Sequence, residues 1–141
     1  MYVSQIMTSP AVTAEPGTGA REVARLLQDN RTGSVVVKAD TPLGIVTEAD
    51  FVRLIAEESE TTDVTAADLM TTNPVTVDGF EDVQEAARLM KKNRIKRLPV
   101  VYGGALVGVL TASDIARHLP KITGGETLQK DELVERLEEA K

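Results

Sequence analysis

The chain of 141 residues has no cysteine and no tryptophan, and only 3% of it is aromatic. The absence of cysteine rules out disulfides, thiolate metal ligands and a cysteine nucleophile, and fits a reducing compartment. His118 is the sole histidine; beside Arg117 and Leu119, late in a helical stretch, it reads as a helix-end residue rather than a catalytic one. No spacing of His, Cys or clustered carboxylates suggests a metal, and there is neither a Walker loop nor a Gly-x-Gly-x-x-Gly run. Gly17-Thr18-Gly19 is too short to count as one. No apolar stretch reaches 18 residues, and Met1 to Pro10 lacks the basic-then-apolar order of a secretory leader. The expectation is a soluble, cytoplasmic protein with no membrane partner.

The hydrophobic fraction is nonetheless 42%, so the core must be built from Val, Leu, Ile, Met and Ala, which suits sheets covered by helices. With 16 Lys and Arg against 22 Asp and Glu, the net charge is −6, which argues against binding nucleic acid by phosphate neutralisation.

Gly44-Ile45-Val46-Thr47-Glu48-Ala49-Asp50 returns as Gly108-Val109-Leu110-Thr111-Ala112-Ser113-Asp114, every position displaced by 64. The chain is therefore a tandem repeat. The opening Ile6-Met7-Thr8-Ser9-Pro10-Ala11-Val12 likewise matches Leu69-Met70-Thr71-Thr72-Asn73-Pro74-Val75, with Asn73 as a one-residue insertion. Brief strands follow each proline, near Ala11–Ala14 and Val75–Val77. Helices with apolar faces Val23, Ala24, Leu26, Leu27 and Val83, Ala86, Ala87, Leu89, Met90 come next. Asn30 and Asn93 are their expected left-handed terminators. Ser34–Val37 and Arg97–Val101 read as strands buried on both faces, and Leu43–Val46 and Ala105–Leu110 as strands that run directly into helices. Met7 and Met70 read as gap-filling core residues.

The expected class is α/β: two β-α-β-β-α repeats, residues 1–62 and 63–120, packed sheet to sheet because one half is too small to stand alone. The polar stretch Glu57 to Asp63 reads as a linker. Residues 121–141 form a C-terminal amphipathic helix from about Thr127, with Leu128, Leu133, Val134, Leu137 and Ala140 on one face. That helix either folds back on the body or meets another subunit.

Thr47 and Asp50 stand three apart, as do Thr111 and Asp114, the signature of a capping box at a helix start. Such a start also offers unpaired N–H groups to an anion, and an aspartate there can accept hydrogen bonds from the hydroxyls of a ribose. Capping alone and nucleotide binding both remain open at this point.

In the order and duplication of these features, residues of about 3 to 119 resemble a tandem CBS-domain pair, the Bateman module. The resemblance implies a pseudo-twofold regulatory unit, commonly dimeric, with two clefts for adenosine-containing ligands such as AMP, ADP, ATP or S-adenosylmethionine. It implies that Asp50 and Asp114 contact ribose, that Thr47 and Thr111 contact phosphate, and that Thr8, Pro10 and Val12 with Thr71 and Pro74 lie in the segments around the base. No catalytic cofactor and no enzymatic activity are implied.

The two sites should still differ. Lys91, Lys92, Arg94, Lys96 and Arg97 put five cations within seven residues, whereas the matched stretch Gln28 to Ser34 holds only Arg31. Arg94, Lys96 or Arg97 is expected to reach a ligand phosphate, unless the run is simply a solvated helix end. The leading expectation is a regulatory homodimer that senses an adenine nucleotide or S-adenosylmethionine and signals to a protein partner. A scaffold with unoccupied clefts is the main rival, and an enzyme of small phosphorylated substrates a weaker one.

Overall fold

The computed structural model describes residues 1–57, 60, 62–120 and 130–141. Glu58, Ser59 and Thr61 of the expected linker lie outside the described residues, as do residues 121–129, which include Thr127 and Leu128 of the expected last helix. The chain forms two compact units, Val12–Pro74, and Met1–Ala11 together with Val75–Lys141, called here the middle and terminal units.

The middle unit carries a four-stranded sheet in the order β1 (Thr13–Ala14), β2 (Ser34–Lys38), β3 (Pro42–Thr47), β4 (Thr71–Thr72). β1 runs parallel to β2, and the other neighbours are antiparallel. Helices α1 (Ala20–Asp29), α2 (Glu48–Glu57) and α3 (Ala66–Leu69) complete it. Val35, Val37 and Val46 from the sheet meet Val23, Leu27, Leu54 and Leu69 from the helices in an almost wholly aliphatic core. That composition follows from how few rings the sequence has to bury.

The terminal unit repeats the arrangement with β5 (Val77–Asp78), β6 (Arg97–Tyr102) and β7 (Ala105–Thr111), and helices α4 (Val83–Asn93), α5 (Ala112–Arg117) and α6 (Lys130–Ala140). The place that β4 holds beside β3 is taken beside β7 by a single bridge. Thr8 N–H donates to the Val109 carbonyl and Val109 N–H to the Thr8 carbonyl, both at 2.9 Å. Pro99 sits inside β6, one residue ahead of the stretch paired with β5, at the place where Val36 of the middle unit donates its N–H to the Val12 carbonyl.

The compact units do not follow the repeat boundaries at residues 62 and 63. The first dozen residues of each repeat pack on the strands of the other. Val3 N–H and Ser4 N–H donate to the carbonyls of Glu81 and Gly79, and in the matching place Ala66 N–H and Ala67 N–H donate to those of Thr18 and Pro16. Every backbone group in such a short segment needs a partner. The loop after the first strand of the opposite repeat supplies it.

The helix ends also differ from expectation. The left-handed residues are Arg31 and Arg94, not Asn30 and Asn93. Each asparagine instead closes its helix from the side: Nδ2 donates to the carbonyl four residues back, Leu26 at 2.9 Å and Leu89 at 2.8 Å. With the carbonyl satisfied by the amide side chain, the turn falls on the next residue.

Helix α6 lies against its own unit. Leu133 and Leu137 are fully buried there, Val134 and Ala140 are half-buried, and Leu137 belongs to the same cluster as Val3, Ile6, Val77 and Val107. Its ends are pinned over aromatic rings, Lys130 Nζ at 5.2 Å from the Phe80 centroid and Lys141 Nζ at 4.9 Å from that of Tyr102. Of the two readings of this helix, the structure shows the one that folds back on the body. No helix among the described residues is long and apolar enough to cross a membrane.

Candidate functional site

Each copy of the duplicated motif lies where a strand becomes a helix. β3 ends on Thr47 and α2 begins at Glu48; β7 ends on Thr111 and α5 begins at Ala112. The motif glycines are explained by their neighbours. A Cβ on Gly44 would stand 2.5 Å from Met70 Sδ, and one on Gly108 would stand 2.7 Å from both Met7 Sδ and the Thr8 carbonyl oxygen. Met7 and Met70 are thus core residues, as expected, but each packs on the glycine of the opposite repeat. The Ile-Met-Thr segment and the Gly-x-x-Thr-x-x-Asp segment form one composite feature, present twice.

At the second copy the capping box is complete. Thr111 N–H donates to Asp114 Oδ2 at 2.9 Å, and Asp114 N–H donates to Thr111 Oγ1 at 3.0 Å. Arg117 Nη2 donates to Asp114 Oδ1, and Thr8 Oγ1 lies 3.1 Å from Oδ1 and 3.3 Å from Oδ2. His118 ends α5 with its Nδ1 donating to the Asp114 carbonyl at 2.8 Å, the helix-end role expected of it.

At the first copy Thr47 N–H donates to Asp50 Oδ2 at 2.7 Å and Arg53 Nη2 donates to Oδ1 at 2.6 Å. The Thr47 hydroxyl lies 3.4 Å from Oδ2. Asp50 is 5% exposed and Asp114 1%. Carboxylates so placed persist because guanidinium and N–H donors compensate for lost water.

Arg53 and Arg117 are the functional residues that the motif pattern alone omits, although they stand three residues after each aspartate and are also 64 apart. That displacement was the signal for them. Both guanidiniums stay more than half exposed while holding the carboxylate.

The structure brings Thr8, Thr111 and Asp114 into contact and sets Arg97 beside them. Arg97 is the antiparallel partner of Thr111, so the two side chains leave the sheet on the same face, and the Lys96 carbonyl accepts from Ala112 N–H at 2.9 Å. The corresponding partner of Thr47 is the buried Ser34. Arg94 is the exposed left-handed residue after α4, while Lys91 and Lys92 occupy its last turn.

Thr71 lies exposed in β4 opposite Ile45, as Thr8 lies opposite Val109. Pro10 is exposed, Pro74 is half-buried at the end of the middle unit, and the Val12 carbonyl accepts from Val36 N–H at 2.9 Å. No group of three or more His, Asp or Glu suited to a metal occurs among the described residues.

A cavity of about 240 Å³ touches the first motif, lined by Asp50, Arg53, Leu54, Glu57, Asp68 and their neighbours. It is smaller than the roughly 300–1,000 Å³ usual for small-molecule sites, and its carboxylates would repel a phosphate. A larger cavity of about 740 Å³ adjoins the β2–β3 turn, at the end of the sheet away from Thr47, and shares no residue with the motif.

The family model for the CBS domain matches residues 3–57 and 66–121. The protein MK0525 of Methanopyrus kandleri is 34% identical over 84% of this chain and 62% of its own length. The CBS domain-containing protein YhcV of Bacillus subtilis is 26% identical over 81% of this chain and 82% of its own. The chain spans 62%, 34% and 63% of the length of three archaeal relatives that it matches.

Among solved structures, the CBS domain protein PAE2072 from Pyrobaculum aerophilum, complexed with AMP, superposes with a TM-score of 0.78 at 28% identity, covering 89% of this chain and all of that one. The CBS domain pair of protein MJ0100, in complex with 5′-methylthioadenosine and S-adenosyl-L-methionine, gives 0.78 at 27% identity, covering 86% and 97%. Duplicated motifs, two sheets that each contain one parallel strand pair, and these matches lead to one conclusion: the chain belongs to the CBS-domain family, with two CBS domains in tandem.

Proposed function

We propose that the protein is a regulatory module that binds an adenosine-containing ligand, an adenine nucleotide or S-adenosylmethionine, at its Gly-x-x-Thr-x-x-Asp motifs and performs no chemistry on it. The observation that carries this reading is the pair of buried, donor-held carboxylates, Asp50 and Asp114, each fixed by its threonine where a strand enters a helix. The AMP-bound and S-adenosylmethionine-bound relatives share that fold.

In this reading each carboxylate accepts from ribose hydroxyls, while Thr47 or Thr111 serves the phosphate. Thr8, Pro10 and Val12, like Thr71 and Pro74, belong to the segments near the base. Arg97, with Lys96 and Arg94, gives the Thr111 motif a preference for more highly charged ligands. The first motif has Ser34 in place of Arg97, and its matched stretch carries Arg31 as its one cation. The chain carries no cysteine, in keeping with a cytoplasmic setting.

Binding to the native state raises stability by mass action, so AMP, ADP, ATP and S-adenosylmethionine at ten times their dissociation constants should each add about 1.4 kcal/mol, read as a rise in melting temperature. Asp50→Asn with Asp114→Asn together should remove the shift. No shift with any of these at millimolar concentration would favour the scaffold reading, and turnover of a ligand would favour an enzyme.

A signal requires two arrangements with different ligand affinity, and a second copy is the proposed responder. Val52 and Ile55 are 71% and 70% exposed three residues apart on α2, an apolar strip suited to a homodimer contact. Light scattering of Val52→Glu with Ile55→Glu should give a monomer where the unaltered chain gives a dimer.

A further inference from the structure

The two aspartates differ in how much of their accepting capacity is already used. A carboxylate oxygen offers two lone pairs. Asp114 Oδ1 accepts from both Arg117 Nη2 and Thr8 Oγ1, whereas among the described residues Asp50 Oδ1 accepts from Arg53 Nη2 alone. Thr71 corresponds to Thr8 in sequence and in its place opposite the strand, and both residues are exposed, yet Thr71 donates no hydrogen bond to Asp50. Three observations separate the copies in the same direction. Thr8 bridges both oxygens of Asp114, Asp114 is the more deeply buried, and the capping box closes fully only around it.

A ribose hydroxyl bound to a motif carboxylate would make the contact that the Thr8 hydroxyl already makes. We propose that Thr8 is an internal surrogate for the ligand's ribose: it masks Asp114, so that the Asp50 motif fills first and the Asp114 motif fills only when the ligand displaces Thr8. Thr8 is then the residue that sets the order of filling, and Arg97 beside Thr111 favours ligands with enough phosphate charge to compete. This inference rests on the ligand reading above.

The test is titration calorimetry of the full chain with AMP. The unaltered chain should show a first event of one AMP per chain, weakened more than tenfold by Asp50→Asn, and a weaker second event abolished by Asp114→Asn. Thr8→Val should tighten the second event about tenfold, the worth of one hydrogen bond to a charged group, with little change in the first. Thr8→Ser, which keeps the hydroxyl, should restore the original second event. Thr8→Ala serves as the alternative if melting shows that Thr8→Val does not fold.

Two equal events in the unaltered chain, or a second event unmoved by the loss of the Thr8 hydroxyl, would overturn the masking while leaving the ligand reading intact. AMP binding by none of these proteins would overturn both.

Discussion

Asp114→Ala is expected to lower the unfolding free energy by about 3 kcal/mol, and Asp50→Ala by about half as much. The difference comes from what each carboxylate holds. Removing Asp114 leaves Thr111 N–H without its acceptor, opens the capping box at α5, and releases Thr8 and Arg117. Hydrogen bonds to charged groups contribute about 1.5–3 kcal/mol each and a helix cap about 0.5–2, and contributions that share one carboxylate do not add in full.

Asp50 holds Thr47 N–H in the same way, and Arg53 and Arg117 are alike more than half exposed and return to water at little expense, so what Asp50 lacks is the contact that Thr8 makes with Asp114. Chemical denaturation of the two variants gives the comparison directly. Equal losses would mean that the Thr8 tether adds nothing.

Leu137→Ala is expected to be as severe, about 3 kcal/mol, because a leucine lost from a packed site removes both its burial and the contacts of the cavity left behind. Leu137 is 1% exposed among Val3, Ile6, Val77 and Val107, and a Cβ on Gly79 would stand only 3.2 Å from Leu137 Cδ2. Val134, half-buried on the same helix, should lose less than 1 kcal/mol on truncation to alanine. Because α6 packs within its own chain, the loss should not vary with protein concentration. A helix held by a second subunit would instead give a loss on truncation that varies with protein concentration.

Much of this structure is legible in the sequence because duplication exposes it. The same steric and capping needs recur 64 residues apart, so Gly44 with Gly108, Thr47 with Thr111 and Asp50 with Asp114 identify one another, and the strands and helices around them follow by their periodicity. What was not legible depends on distance through the chain. That Met7 packs on Gly108 and Met70 on Gly44 cannot be seen from either segment alone, since nothing local tells a short opening segment which repeat will satisfy its backbone.

The left-handed residue lies one position beyond each asparagine for a local reason. An asparagine that can donate its amide to the carbonyl four residues back need not itself turn left-handed, and an arginine took that conformation instead. The asymmetry of the site was hidden because both copies read Thr-x-x-Asp. The hydrogen bond from Thr8 to Asp114, which Thr71 does not make to Asp50, separates them.

The central claim is that an adenosine-containing ligand binds through the motif carboxylates, Asp50 first. It is tested most directly by titrating AMP into the isotope-labelled chain and following the backbone amides of Thr47 and Thr111, which donate to Asp50 and Asp114. The expected result is a shift of the Thr47 resonance that saturates at one AMP per chain and is lost in Asp50→Asn, with Thr111 moving only at higher concentration. Resonances that move elsewhere while both threonines stay still would contradict it.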